Sequence, residues 1–389
     1  MKKKRILIPG LLVLVALLFP GCAKTVSQPH AHTWENRKCM TCGEEKEIHR
    51  LGNWEYVLWE EEETMEIVSF PETDEKVFFR DLPEGISKVR IRDGITAIPD
   101  YAFAGCENLV DVVIPQTART IGKCAFAQCV NLTELYLPEG VISIGDCAFL
   151  MCSSLTQLTI PDSVTSIEGN PFRYLAAEIQ VSPENPTISV IDGVVFNKDG
   201  TRLIACPCNK AGAYEIPDGV LEIGSHAFEN CNDLTDVTIP VSVASIEGNP
   251  FDFAQLELKL SPENPNFSLI DGVLFDRTGT KLLVYPRGRA GDTYEIPAGT
   301  TEIGEAAFAG CQQLSSVTVP ESITTIASSA FWNCEDLRLN VWDGSYALQY
   351  AREHRLNFFY ILPDMGPEID ESDVLDRGAV PKERKYTLS

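Results

Sequence analysis

Residues 119–138, RTIGKCAFAQCVNLTELYLP, and residues 142–161, ISIGDCAFLMCSSLTQLTIP, are two copies of one phrase laid end to end. It returns as LEIGSHAFENCNDLTDVTIP at 221–240 and as TEIGEAAFAGCQQLSSVTVP at 301–320. Repetition at a fixed period marks an array. A unit that cannot bury its own apolar face becomes stable by stacking on its neighbours. The closing prolines Pro115, Pro138, Pro161, Pro217, Pro240, Pro297 and Pro320 stand 23, 23, 56, 23, 57 and 23 residues apart. Phe103, Phe126, Phe149, Phe172, Phe228, Phe251, Phe308 and Phe331 keep the same rhythm.

Each unit has a physical reading. Leu132-x-x-Leu135-x-Leu137 is a short strand with its leucines turned inward, and Pro138 ends it. Ile144-Gly145 makes the bend on the opposite side. Ala148-Phe149-x-x-Cys152 reads as a short helical turn with Phe and Cys facing the core. The two long spacings each follow a Glu-Gly-Asn-Pro-Phe stretch, at 168–172 and 247–251. They contain SPENPTISVIDGVVFNKDGTRLIACP and SPENPNFSLIDGVLFDRTGTKLLVYP. Asp192-Gly193 and Asp271-Gly272 are hairpin turn pairs, so each insert, within about 173–217 and 252–297, reads as a β-hairpin grafted onto the edge of the array. The two aspartates are repeat equivalents doing the same turn job, not a catalytic pair.

The phrase Ile-Gly-x-x-Ala-Phe-x-x-Cys-x-x-Leu-x-x-Leu-x-Leu-Pro resembles the BspA-like leucine-rich repeats of bacterial cell-surface proteins, over roughly 95–341. The Asn common after the strand in other leucine-rich repeats is replaced by Pro, as is typical of the BspA-like class. The expected fold is therefore a β-rich solenoid, a BspA-like leucine-rich repeat array of 23-residue units with two β-hairpin insertions and N- and C-terminal caps. Residues 51–94, with strand-like runs such as Trp54–Leu58 and Met65–Val68, supply the N-terminal β cap. Acidic residues 60–63 are a solvated hairpin tip. Residues 342–362 form the C-terminal cap, a helix with Ser345 as N-cap and Tyr346, Tyr350 and Ala351 on one apolar face, then a final strand. Residues 363–389, poor in large apolar groups, are expected to be disordered.

The N-terminus carries a targeting segment. Lys2–Arg5 is a positive n-region, and ILIPGLLVLVALLF is an apolar run too short for a full membrane span. Leu18-Phe19-Pro20-Gly21-Cys22 resembles a bacterial lipobox, which implies removal of 1–21 and lipidation of Cys22. Phe19 and Pro20 depart from the usual pattern, and an ordinary signal peptide or uncleaved anchor is the alternative. On this reading the protein is exported and held by its lipid on the outer face of the cell membrane.

Residues 22–50 are expected to form a linker with a small Cys/His module. Cys39-x-x-Cys42 with Gly43 behind it is a zinc-knuckle-like turn, and His32 and His49 stand where they could complete a closed, structural tetrahedral site. A Cys39–Cys42 disulfide in an oxidising compartment, with the histidines free, is the alternative, and neither is the third reading. No other cofactor is implied.

Cys106, Cys129, Cys152, Cys231, Cys311 and Cys334 share one repeat position and read as small buried core residues. Cys124 and Cys147 share a second position in adjacent units, where parallel side chains oppose a disulfide. No nucleophile elbow, phosphate loop, zinc-protease helix or dinucleotide fingerprint is present, and His226 and His354 read as lone surface residues. The chain is expected not to be an enzyme.

The formal charge of -24 disfavours nucleic acid as a partner. The resemblance implies a surface-exposed protein that binds a protein or glycan ligand on host or neighbouring cells. The side chains that vary between copies on the strand face are the candidate binding surface: Asp111, Glu134, Gln157, Asp236 and Ser316 at one position, and Tyr136 and Thr238 at the other. The alternative is that this face is only solvated, on a structural envelope scaffold or, through the Cys/His module, a zinc-handling envelope protein.

Overall fold

A computed structural model describes residues 45–51, 54–59, 62–70, 82–334 and 336–361, together with the backbone of two short antiparallel strands, Trp34–Glu35 and Lys38–Cys39. The chain divides after Glu47, and its larger unit begins at Ile48. Cys22, His32, Cys42 and the 363–389 tail lie outside the described residues.

Each 23-residue unit contributes two short parallel strands to two separate ladders. In one unit Thr120–Ile121 lies in the second ladder and Glu134–Tyr136 in the first. Glu134, Leu135 and Tyr136 pair in register with Asp111, Val112 and Val113 of the preceding unit. The leucines at 132, 135 and 137 are buried, as their spacing predicts. The Ile-Gly step does more than bend the chain. Ile121, Ile144 and Ile167 are paired in register as a ladder of their own, with the first two isoleucines fully buried. The glycine after Ile121 and after Ile144 permits close stacking: a Cβ on Gly145 would lie 2.6 Å from the backbone nitrogen of Lys123 in the unit below.

The Ala-Phe-x-x-Cys segment is not the helical turn that its spacing suggests. Ala125, Ala127 and Cys129 donate their N–H groups to carbonyls three residues back, whereas Cys124, Phe126 and Gln128 donate to Asp146, Ala148 and Leu150 of the next unit. Alternate amides thus point along the stack, and Cys124 and Gln128 adopt φ values of +52° and +61°. Such left-handed residues cost about 1 kcal/mol each, which the inter-unit hydrogen bonds offset.

Between the ladders runs a column of stacked phenylalanines. Phe103, Phe126, Phe149 and Phe172 follow one another with ring centroids 5.5, 6.2 and 6.4 Å apart and planes within 19° of parallel. Phe308 continues the pattern between Tyr285 and Phe331, at 5.2 and 4.9 Å. Both ends are closed by other aromatics. Trp54 meets Phe103 edge-on at 5.8 Å, and Tyr350 of the C-terminal helix lies 6.1 Å from Phe331. That helix, Tyr346–His354, is capped by Ser345, whose side chain accepts the N–H of Leu348. Its buried face is Ala347, Leu348, Tyr350 and Ala351; Tyr346 is turned to solvent because it sits in the first turn on the outer side.

The inserts are not edge grafts. In the first, Ile188–Ile191, Val194–Asn197 and Arg202–Ala205 form antiparallel strands, and the last pairs in parallel with Glu222–Ile223 of the following unit. The insert therefore occupies a rung of the second ladder. Val195 and Ile204 pack into the preceding core, whereas Val194, Phe196 and Leu203 pack into the following one. The second insert repeats this, with Leu274 and Val284 on one side and Val273, Phe275 and Leu282 on the other. Each insert is an internal partition with both faces covered. Strands buried on both faces read as unbroken apolar runs, and Val194-Val195-Phe196 is such a run.

Candidate binding surfaces

The strand face is the outer surface of the first ladder, and the register fixes which side chains adjoin. Asp111 lies beside Glu134, and Val113 beside Tyr136. Gln157 and Glu178 are paired in the next sheet, with Thr159 beside Gln180. Val113 is 51% exposed and Tyr136 62% exposed, although both stand on a rigid, hydrogen-bonded rung. Around them Glu134, Gln157 and Glu178 are exposed and Asp111 is half-buried. The middle of the face differs. Asp236 is half-buried and ion-paired to Lys259 at 2.7 Å, and that ammonium, with the Thr235 hydroxyl, holds its carboxyl below the usual range. Thr238 is half-buried. Ser316 does not belong to an exposed face: it is buried, a small side chain covered between the longer Thr293 and Arg338 on either side in register. The expected face therefore breaks into an open N-terminal patch and a covered C-terminal stretch.

His226 is not a lone surface residue either. Its Nδ1 lies 2.9 Å from Asp252 Oδ2 and 3.9 Å from Glu229 Oε2, and both carboxylates are about 1% exposed. Glu229 also accepts two hydrogen bonds from Arg173, Nε at 2.5 Å and Nη2 at 2.7 Å. Burial pushes the Glu229 carboxyl up against the pull of Arg173, and burial likewise opposes the Arg173 charge, which the Glu229 hydrogen bonds restore and strengthen. His226, Glu229 and Asp252 bring their ligand atoms within 4.8 Å, a spacing that suits a metal ion. The carboxylates are, however, already engaged by a guanidinium and an imidazole, so the group is a hydrogen-bonded clamp. Arg173 belongs to the unit before the first insert and Glu229 to the unit after it. His354 is exposed and stacks on Tyr350 at 4.1 Å.

The repeated cysteines are packing groups. Cys129 and Cys152 donate their thiols to the carbonyls of Phe103 and Phe126, at 3.2 and 3.1 Å, and Cys334 to Phe308 at 2.9 Å. Burial pushes the Cys152 thiol up to about 12 and that of Cys334 to about 11, far from thiolate chemistry. Cys124 and Cys147 are both free thiols. Of the expected zinc ligands, Cys39 stands on the strand Lys38–Cys39, and His49 stands opposite and stacked on Tyr56, with ring centroids 5.4 Å apart.

A family model described as BspA type leucine-rich repeat region matches in six copies, over residues 75–200, 206–278 and 291–345, more than half of the sequence. The chain belongs to the BspA-type leucine-rich repeat family. Among solved structures it is similar to a leucine-rich cell surface protein from Faecalibacterium prausnitzii, at 24% identity over 79% of this chain and 98% of that one, with a TM-score of 0.41. It is similar also to the pneumococcal vaccine antigen PcpA, at 18% identity over 82% and 99% with a TM-score of 0.46. A leucine-rich repeat protein from Bacteroides ovatus matches at 19% identity over 81% and 100%, with a TM-score of 0.31. A search of curated protein sequences gives no match.

Within this BspA-type frame the Glu-Gly-Asn-Pro-Phe stretches have a task that their sequence alone does not reveal. Asn170 is buried, accepts the N–H of Phe172 and donates to the carbonyl of His226 at 3.1 Å. Asn249 does the same toward Phe251 and Ala306, at 3.0 and 2.8 Å. The only signal in the sequence is numerical: these asparagines bridge the same long interval that separates the prolines. No described helix is long and apolar enough to cross a membrane.

Proposed function

We propose that this BspA-type protein is a non-catalytic binding scaffold of the bacterial cell surface, and that it engages a protein on host or neighbouring cells through the N-terminal patch of its strand face. The observation that carries this is the exposed Val113–Tyr136 rung beside Asp111 and Glu134. Apolar and aromatic side chains held rigidly on a sheet lose little freedom on binding, and acidic neighbours select a basic partner surface. Family membership supports a cell-surface interaction role. Anchoring through a lipid on Cys22 fits this placement and is part of the proposal.

The test is binding of the purified protein to immobilised matrix proteins and partner-cell surfaces, with Glu134→Lys/Tyr136→Ala beside the wild type. The double variant is expected to bind at least about tenfold more weakly with an unchanged melting temperature. Equal binding by the two refutes the assignment to this face. Membrane retention and palmitate labelling of a Cys22→Ala variant would sink the lipid anchor.

A further inference from the structure

The second insert carries a polar pocket. Its return loop, Arg287–Gly291, lies against Gln255 of the preceding unit and Gln313 of the following one, and together they line a cavity of about 390 Å³. Arg287 stands in this cavity, and no carboxylate among the described residues forms an ion pair with it. Its Nη1 donates to the backbone carbonyl of Phe253 at 2.9 Å, and its Nε is buried with no hydrogen-bond partner. An unmatched guanidinium is out of keeping with a chain of net charge -24. Arg289, at the rim, is by contrast committed to Asp271 and to the faces of Tyr285 and Tyr294. Gln313 donates to the Arg287 carbonyl at 3.0 Å, which fixes the loop. Beside the pocket the Arg287 guanidinium lies 5.9 Å from the Phe253 ring, and Phe253 packs edge-on at 5.4 Å against Trp332, which is 59% exposed.

The first insert shows what a merely structural version looks like. Its residues at the matching positions are Ala176, Cys208, Lys210 and Asp233, and Lys210 is paired with Asp192. Only the second copy replaces Ala by Gln, Cys by Arg and Asp by Gln, and each of these changes adds a donor or removes a negative charge. The first insert holds its loop by other bonds, the Cys208 N–H and the Asn209 side-chain amide donating to the carbonyls of Leu175 and Ala176 at 3.1 and 2.9 Å.

We propose that this pocket binds a carboxylated sugar residue. With Nε enclosed and Nη1 held by the Phe253 carbonyl, the charged Nη2 of Arg287 is the donor left for a carboxylate. The amides of Gln255 and Gln313 can donate to and accept from ring hydroxyls. The exposed Trp332 face offers an apolar platform for the C–H face of the next residue. The site uses none of the strand-face residues Asp111, Val113, Glu134 and Tyr136.

Isothermal titration with a glucuronate-containing oligosaccharide, its neutral counterpart, sodium acetate and a peptide ending in a free carboxylate tests the assignment on the full chain. The acidic oligosaccharide is expected to bind, and Arg287→Gln to weaken it at least tenfold with an unchanged melting temperature. Trp332→Ala is expected to weaken the oligosaccharide about threefold or more and acetate not at all. Cys208→Ala, in the other insert, is expected to leave binding unchanged. Equal binding of the neutral sugar, indifference to Arg287→Gln, no binding of the acidic oligosaccharide, acetate competing as well as the oligosaccharide, or tighter binding of the peptide would each overturn the proposal. If Arg287→Gln fails to fold, Gln313→Asp, which restores the first insert's residue, must abolish binding in its place.

Discussion

The side-chain amide of Asn170 reaches the backbone carbonyl of His226, 56 residues further along the chain, at 3.1 Å. It thereby closes the solenoid over the whole first insert. Asn249 and Ala306 repeat the contact across 57 residues. Both asparagines are buried.

Loss of this stitch strands the buried N–H of Phe172 or Phe251, while the carbonyls of His226 and Ala306 keep the N–H groups of Glu229 and Ala309. Asn170→Ala and Asn249→Ala are each expected to cost about 1–3 kcal/mol. Because stability in a stacked array is local, the loss belongs to the units flanking the affected insert. Hydrogen exchange of the amides of residues 222–231 should quicken in Asn170→Ala, with those of 316–319 unaltered; uniform acceleration would contradict the local account.

Arg173 is the second bond across the first insert. Its removal strands the Glu229 carboxylate at about 1% exposure, so Arg173→Ala is expected to destabilise by about 3–5 kcal/mol. Replacing both partners, as in Arg173→Met/Glu229→Leu, should recover most of that loss in urea denaturation. A double variant no better than the single one would show that the clamp itself, rather than the stranded charge, is the source of the cost.

Asp276 ties the turn of the second insert. Its carboxylate accepts the N–H of Lys281 at 2.9 Å and the hydroxyls of Thr278 and Thr280 at 2.6 and 3.0 Å. Partial burial opposes its charge, but these donors win and hold its pKa below the ordinary carboxylate value. A depressed pKa contributes stability that is fully present above the unfolded value near 3.9 and is lost as pH falls through the folded one. Asp276→Asn is therefore expected to flatten the acid limb of the stability curve, with a neutral-pH cost of about 1 kcal/mol or less. Asn197 already fills this place in the first insert, accepting the N–H of Arg202 at 2.9 Å. A variant with an unchanged acid limb would be the contrary result.

Among the described cysteines, Cys124 should react first. The hydrogen bond from Cys147 lowers its thiol to about 7, with Lys123 assisting, while the Cys147 thiol keeps its proton and is pushed up. Iodoacetamide labelling followed by peptide mapping should show Cys124 modified ahead of Cys106, Cys129, Cys152, Cys231 and Cys311, and its rate should rise through pH 7. Labelling led by Cys208, the more accessible thiol, would contradict this order.

A final contrast separates scaffold from surface. Phe149 is fully buried in the aromatic column, so Phe149→Ala should cost about 3–5 kcal/mol. Tyr136, 62% exposed, should tolerate Ala within about 0.5 kcal/mol in thermal unfolding. A costly Tyr136→Ala would place that ring in the scaffold.

Much of the scaffold is legible in the residues themselves. The leucines of 132–137 announce an inward strand because the side-chain period of a strand is two, and Phe126, Phe149 and their equivalents announce a column because their spacing is constant. Local patterns mislead where one pattern serves two structures. Phe149 and Cys152 are spaced as in a helical turn, but alternate amides of their segment are drawn to the next unit, and a local spacing carries no record of that partner. Asp192-Gly193 correctly signals a turn, with φ values of +49° and +77°, but not whether the hairpin lies outside the array or within it. Ser316 occupies the same sequence position as Glu134, yet one is buried and the other exposed, because their neighbours along the stack differ.

The order of apolar side chains along the chain is enough to establish the repeat, its inward-facing residues and the family. It takes the folded stack to show that the inserts are partitions, that Asn170 and Arg173 bridge them, that His226 belongs to a buried clamp and that Arg287 stands unmatched in a pocket. Each of these joins residues from separate units through hydrogen bonds or charge. Such contacts depend on how the units stack and on which groups are shielded from water, and stacking is settled by packing across the whole array rather than by any one phrase of it.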